Sequence, residues 1–350
     1  MSRITVGLVG VSGYTGMELA RLLVGHPGFE LTRATSRAEA GKLLGDIYPF
    51  LRSFPLAELR ISQPDPEDLA AACELVFLAV PHGAAMDLAA PLRAKGLKVV
   101  DLSADFRLRD PEVYASWYGH AHRQTGLLAE AVYGIPELNP EQIAQAKLLA
   151  NPGCYPTCSI LGLHPALKHK LVDPDGIVID AKSGTTGAGR KASVGTLFCE
   201  VQDSFRAYNL GKHRHTPEIE QELSAVAGRE LFVSFNTHLL PINRGILSTI
   251  YCKLPQPLEL AQVLETYQKT YAGAGWIRVL PAGQLPELRH VRGTMFCDIG
   301  LVVDPRTQRL LIVSAIDNLC RGASGQALAN ANLMCGQPLR LGLDLPPLMP

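Results

Sequence analysis

Short apolar runs separated by polar, helix-like stretches organise the first half of the chain. Ile4–Val9 is a β-branched run that ends in glycines, and Phe29–Thr35, 75–80 and 98–102 repeat the pattern. Between them, residues 18–23 and 84–94 place apolar side chains at helical spacing. Compact apolar strands alternating with helices predict parallel βαβ units, whose sheet is covered on both faces. The second half reads differently. Residues 176–181, 231–240, 246–254, 294–303 and 310–316 are longer and rich in Val, Ile, Phe and Thr. They predict a larger, mixed or mostly antiparallel sheet, with helices at 258–271 and 323–334. No Pro/Gly/Ser linker divides the halves. The boundary is expected near Asn151, where a strand pattern ends in Asn-Pro-Gly.

At 350 residues the chain is long enough for two domains. Its 47% hydrophobic and 19% charged content excludes an intrinsically disordered chain. Lys+Arg and Asp+Glu both number 33, so no net charge favours nucleic acid or an anionic membrane. The apolar runs fall far short of the ~20 residues that span a bilayer. Glycines and Glu18 interrupt the N-terminal apolar run, which argues against a secretory signal. Eight cysteines show no CxxC, so a cytoplasmic chain with reduced thiols is expected.

Gly10-Val-Ser-Gly13-Tyr-Thr-Gly16 follows the first strand and opens a helix. A diphosphate needs a tight turn, close backbone approach and helix N–H donors, and glycines at a strand-to-helix junction supply them. Ser12 and Thr15 add hydroxyls, and Tyr14 lies within the loop. The spacing is GxxGxxG rather than GxGxxG, so position carries more weight than the motif. The second strand ends Thr35-Ser36-Arg37 with no acid there. A carboxylate at that point would mark NAD, whereas hydroxyls and a guanidinium suit the 2′-phosphate of NADP.

Asn151-Pro-Gly-Cys154-Tyr-Pro-Thr157 precedes an apolar helical run. A cysteine at a helix start meets the positive end of the helix dipole, which favours the thiolate. The unpaired N–H groups there can hold an oxyanion. Cys158, one turn on, reads as packing. Gly211-Lys-His213-Arg-His215-Thr-Pro-Glu218 offers two histidines, with Thr216 read as the N-cap of a helix. Either could pair with Cys154 as acid–base, and His215 is favoured because it adjoins the helix start. No second cluster completes a metal site. Lys182-Ser183-Gly184-Thr-Thr-Gly-Ala-Gly-Arg190 is a glycine- and hydroxyl-rich loop suited to close approach by a ligand, but it lacks the GK[ST] of a P-loop. Arg107 ends Asp101-Leu-Ser-Ala-Asp-Phe-Arg107, just past a strand end. There a guanidinium can hold a phosphoryl group, with Asn151 as a second donor.

These motifs, with Ala315-Ile-Asp-Asn-Leu-Cys-Arg-Gly-Ala-Ser-Gly-Gln326, occur in one order along nearly the whole chain. In that combination the sequence resembles the N-acetyl-γ-glutamyl-phosphate reductases, relatives of aspartate-semialdehyde and glyceraldehyde-3-phosphate dehydrogenases. The resemblance implies α/β plus α+β architecture: a Rossmann-type doubly wound domain and a second, mixed-sheet catalytic and dimerisation domain. It implies an NADP-binding domain over 1–150 with 318–350, a catalytic domain over 151–317, and Asn318 near the nicotinamide. It further implies NADPH-dependent reduction of an acyl phosphate through a Cys154 thioester, in arginine biosynthesis, by a homodimer or homotetramer. The expected cofactor-binding residues are Gly10, Ser12, Gly13, Tyr14, Thr15, Gly16, Ser36, Arg37, Ser183, Gly184 and Asn318. The competing readings are a carrier-protein-dependent lysine-pathway reductase, an aspartate-semialdehyde dehydrogenase, and a non-catalytic NADP-sensing scaffold. The scaffold would need neither Cys154 nor the histidine pair.

Overall fold

The structure, a computed structural model, describes residues 3–349. It divides into two units. One holds the chain up to Pro152 together with Ala323–Asp344, and the other holds Gly153–Gly322 with the tail from Leu345.

The first unit is built on six strands: β1 Ile4–Val9, β2 Phe29–Thr35, β3 Leu75–Leu78, β4 Lys98–Asp101, β5 Ala131–Tyr133 and β6 Leu148–Ala150. Their order is β2-β1-β3-β4-β6-β5, and every neighbouring pair is parallel. All four residues of β3 are buried, as a sheet covered on both faces requires. β2 and β3 flank β1 on opposite sides, so the winding reverses there. Ligand crevices of open α/β sheets form beyond the strand C-termini at such a switch point. The glycine turn after β1 occupies that place. The helix Gly325–Met334 is almost wholly buried within this unit, where Asn330 Nδ2 donates to Gly134 O at 2.9 Å and to Asn151 Oδ1 at 3.1 Å.

The second unit carries seven strands: β7 Ile177–Ser183, β8 Arg206–Tyr208, β9 Val233–Leu239, β10 Ile246–Lys253, β11 Ile277–Val279, β12 Cys297–Asp304 and β13 Arg309–Ile316. The order is β11-β12-β13-β10-β7-β9-β8. Pairing is mixed: β11–β12 and β7–β9 are parallel and the rest antiparallel. Burial alternates along β7, β9 and β10, so one face is covered and the other half-exposed. The helix Cys154–Lys168 lies on the covered face. Its Gly162 permits the approach, since a Cβ there would stand 3.2 Å from Ile250 Cδ1 and 3.3 Å from Ser314 Cβ. Tyr267 and Tyr271, in and just after the helix Leu260–Thr270, donate hydroxyls to Gly162 O at 2.8 Å and Leu161 O at 2.5 Å.

Several boundaries differ from the sequence reading. The first helix spans Tyr14–Leu23, four residues longer at its start, because the glycine loop runs directly into it. The strand expected from 294 starts at Cys297; Thr294 is instead held in a turn, its Oγ1 donating to Val291 O and accepting from Phe296 N. Among the described residues no three His, Cys, Asp or Glu side chains gather as a metal site would require. No helix there is long and apolar enough to cross a membrane.

Candidate active site

In the second unit the cysteine turn folds as its sequence dictates. Gly153 is the extended N-cap and Cys154 the first residue of the helix, with no side-chain cap on the N-terminal N–H groups. Cys154 is half-buried and Cys158 fully buried, and none of the eight cysteines is in a disulfide. Burial pushes the Cys158 thiol up to about 11, which fits a packing role. Gly153 N donates to Glu218 Oε1 at 2.8 Å, and Glu218 is 1% exposed. Glu218 stands in the first turn of the helix Thr216–Ala227, just after the histidine pair. The N-cap of this helix is His215 rather than Thr216, because the chain already turns with Thr216 N donating to His213 O.

The two imidazoles lie 4.9 Å apart between ring centroids, and Tyr155 packs edge-on against both, at 5.2 Å from His213 and 6.0 Å from His215. His213 Nδ1 accepts the His215 main-chain N–H at 3.1 Å. Burial first, then the charge of Arg214, lowers His213 to about 4, so this ring is neutral at physiological pH. The Tyr155 and Tyr208 hydroxyls are 2.7 Å apart. Burial pushes both phenols up, Tyr208 to about 12, and the charge of a Cys154 thiolate adds to the effect. Cysteine, both histidines and two tyrosines therefore share one locality.

A second turn backs the nucleophile. Asp317 Oδ1 takes the N–H groups of Leu319 and Cys320 at 2.8 and 2.7 Å, and Gly322 N closes a wide turn onto Asp317 O at 2.8 Å. A Cβ on Gly322 would stand 2.7 Å from Cys154 Cβ, so only glycine fits there. Asn318 is 2% exposed; its Oδ1 accepts Gly245 N at 2.8 Å and its Nδ2 donates to Thr186 Oγ1 at 3.0 Å. Ser183 is buried, its hydroxyl bonded to Gly184 O at 3.0 Å, and Gly184 backs closely onto Asn243 and Arg244.

In the first unit the glycine loop has the geometry a diphosphate needs. Gly10 has φ +89°, and a Cβ there would collide with Ala79 O at 2.2 Å. A Cβ on Gly16 would meet Gly10 O at 2.4 Å. Gly13 is the N-cap with no side-chain cap, which leaves the N–H groups of the Tyr14-Thr15 turn to a ligand. Gly10 N and Val11 N bond to Thr35 O, and this brings Ser12 Oγ to 2.9 Å from Ser36 Oγ. Arg37 follows, exposed. The paired hydroxyls and the helix N–H groups fit a phosphorylated dinucleotide.

Arg107 is 6% exposed; its Nε donates to Asn151 O at 2.8 Å and its Nη2 to Leu102 O at 2.9 Å. The Asn151 amide is engaged as well, donating to Ala323 O and accepting from Asn330. Asp105 pins the segment that carries Arg107. Its carboxylate accepts Gly83 N at 2.7 Å, Ala85 N at 3.0 Å and the Tyr114 hydroxyl at 2.8 Å. Asp101 beneath it is raised to about 7 by burial and then by Asp105. Sequence reasoning assigned no role to Asp105, Glu218, Asp317 or Gly322. All four lay inside the quoted motifs, but an acid or a glycine in a motif does not reveal which group it will meet.

Residues 5–146 match the semialdehyde dehydrogenase NAD binding domain, and residues 154–318 the semialdehyde dehydrogenase dimerisation domain. Over 97% of its length and 97% of theirs, the chain is 53% identical to an N-acetyl-gamma-glutamyl-phosphate reductase of Geotalea daltonii. It is 51% identical to that of Citrifermentans bemidjiense, over 99% and 100%. The chain belongs to the N-acetyl-γ-glutamyl-phosphate reductase family. Among solved structures it resembles aspartate semialdehyde dehydrogenase II from Vibrio cholerae, with TM-score 0.72 and 15% identity over 96% of this chain and 99% of that one. It also resembles the Candida albicans aspartate semialdehyde dehydrogenase solved with NADP, with TM-score 0.71 and 18% identity over 95% and 99%. The two-part architecture of the reductase family is thus the one expected from the sequence.

Proposed function

We propose that the chain catalyses the reversible NADPH-dependent reduction of N-acetyl-γ-glutamyl phosphate to N-acetylglutamate semialdehyde and phosphate, through a thioester on Cys154. The observation that carries this reading is the cysteine at the first residue of an uncapped helix whose next residue, Tyr155, packs against two histidines, in a member of this family. The Cys154 thiolate attacks the acyl carbon, the C–O bond to phosphate breaks, and phosphate leaves with the electron pair. NADPH, when bound, supplies the hydride that converts the thioester to the aldehyde level. The hemithioacetal alkoxide so formed re-forms its C=O bond as the C–S bond breaks, releasing the aldehyde and the Cys154 thiolate.

His215 serves as the acid–base group in this reading. His213 Nδ1 is committed to a main-chain N–H, and protonating it would break that bond. The uncapped N–H groups of the cysteine helix hold the developing oxyanion. Arg107 takes the phosphoryl oxygens, and Asn151 orients it through its carbonyl. Gly10, Ser12, Gly13, Tyr14, Thr15 and Gly16 hold the cofactor diphosphate, and Ser36 with Arg37 its 2′-phosphate. Ser183, Gly184 and Asn318 would hold the nicotinamide end.

The free acetylated substrate is favoured over a carrier-bound one by relatives that match along nearly their whole length. A homodimer or homotetramer fits the matched dimerisation domain and the half-exposed apolar residues Val178, Leu247, Tyr251, Leu311 and Val313 on the open face of the second sheet. Unbridged thiols fit a reducing cytoplasm. The test is NADP⁺ reduction with phosphate and either N-acetylglutamate semialdehyde or aspartate semialdehyde. Turnover only with the acetylated aldehyde supports the reading; preference for aspartate semialdehyde overturns it.

A further inference from the structure

We infer that Tyr48 is a positioning residue for the cofactor: its hydroxyl fixes the carbonyl of Val11 and, with it, the shape of the glycine loop. This rests on the cofactor reading proposed above. The Tyr48 hydroxyl donates to Val11 O at 2.9 Å, across 37 positions of sequence. Tyr48 is 3% exposed and Val11 0%. A buried carbonyl needs a donor, and here a side chain from a distant part of the same unit supplies it.

Both main-chain groups of Val11 are engaged. Its N–H donates to Thr35 O at 3.1 Å, beside that of Gly10 at 2.9 Å. Its oxygen, held by Tyr48, sets the plane of the Val11–Ser12 peptide, because in a trans peptide the N–H lies opposite the C=O. Ser12 follows directly, with Oγ 2.9 Å from Ser36 Oγ. The same oxygen is also a packing surface for the helix start. A Cβ on Gly16 would stand 2.8 Å from Val11 O and 2.7 Å from Val11 Cα. Turning that peptide over would move the oxygen out of the place around which the first helical turn is built. The Tyr48 bond therefore maintains the loop conformation that a diphosphate meets. A loop already in that conformation binds without the cost of ordering it.

Tyr48 is itself carried by a fixed segment. After Arg37 the chain makes a closed excursion whose limbs pair, Leu44 N donating to Leu59 O and Ile61 N to Lys42 O, both at 2.9 Å. Ser62 then rejoins the end of β2, donating to Ala34 O at 3.1 Å and accepting from Ser36 N at 3.0 Å. Within the excursion, Tyr48 N donates to Leu44 O and Tyr48 O accepts from Leu51 N, both at 2.9 Å. Leu44 and Leu51 are fully buried and anchor the segment. The Tyr48 main chain thus serves local turns, and its hydroxyl reaches the loop after β1.

The experiment compares the wild type with Tyr48→Phe, which keeps the ring beside Phe50 and removes the donor, and with Tyr48→Leu. NADPH binding is measured directly by fluorescence titration. In Tyr48→Phe the Kd for NADPH should rise about 3–10-fold, while kcat at saturating NADPH and the KM for phosphate stay within about twofold. Without cofactor, amide hydrogen exchange should quicken in the peptide covering residues 10–16 and stay unchanged in the one covering 98–107. Tyr48→Leu should weaken NADPH at least as much. Should that variant be less stable, a smaller rise in Tm on adding NADPH still reports the weaker binding. An unchanged Kd for NADPH in both variants, or equal losses for NADPH and phosphate with faster exchange in both peptides, limits Tyr48 to packing. Either result overturns the inference while leaving the cofactor reading standing. A wild type that binds no NADPH overturns the reading and the inference together.

Discussion

Glu218 holds the N–H of Gly153 at 2.8 Å, one residue before the nucleophile, and does so from the helix turn that follows the histidine pair. One buried hydrogen bond thus ties the element that presents the cysteine to the element that presents the acid–base group. Replacing Glu218 with Ala leaves a buried N–H without this acceptor and should destabilise the protein by about 1–3 kcal/mol. It should also slow alkylation of Cys154 by iodoacetamide. Glu218→Gln keeps an acceptor oxygen and should recover most of both. Thermal denaturation and alkylation rates check this. An alanine variant with unchanged alkylation would limit Glu218 to a stabilising role.

Arg107 should govern phosphate alone. Its guanidinium is buried and anchored on Asn151 O and Leu102 O, so it is a preorganised donor for an anion. Arg107→Ala should raise the KM for inorganic phosphate at least tenfold while that for NADP⁺ stays within twofold, in keeping with loss of a charge-assisted contact. An unchanged phosphate KM would refute the role.

The parallel βαβ pattern, the mixed second sheet and the places of the glycine, cysteine and histidine motifs were all legible in the chain. Each is written in local periodicity or in turn chemistry that depends on neighbours alone. The three-residue strands β5, β8 and β11 were not legible, since so few residues show no period. The partners were not legible either. Glu218 meets Gly153 across 65 positions, and Gly322 meets Cys154 from the far end of the second unit. Such pairings are set by how helices dock on a sheet, which one-dimensional pattern does not carry.

The two histidines should separate by substitution. His213 is depressed to about 4 by burial, so it stays neutral across the working range. His215→Asn should lower kcat by about 10²–10⁴-fold, as loss of a general acid–base group does, while His213→Asn should cost far less. Linkage adds a stability prediction. Between pH 6.5 and about 4 the unfolded chain binds a proton that folded His213 refuses, and His164, also lowered to about 4 by burial, behaves alike. Their contribution is present above pH 6.5 and is lost as pH falls towards 4. Tm should drop over that window, and replacing His164 with a neutral residue of similar volume should flatten the slope. Near-wild-type rates in both histidine variants would remove histidine from the mechanism.

The covalent step is tested most directly by mixing the protein with N-acetyl-γ-glutamyl phosphate in the absence of NADPH, quenching in acid, and mapping the adduct by peptide mass spectrometry. The account predicts one N-acetylglutamyl group per chain on the peptide holding Cys154, released phosphate in equal amount, and neither in Cys154→Ser, whose hydroxyl is scarcely ionised. An acyl group on another residue, or a Cys154→Ser variant that still reduces the acyl phosphate at more than a few per cent of the parent rate, would contradict it.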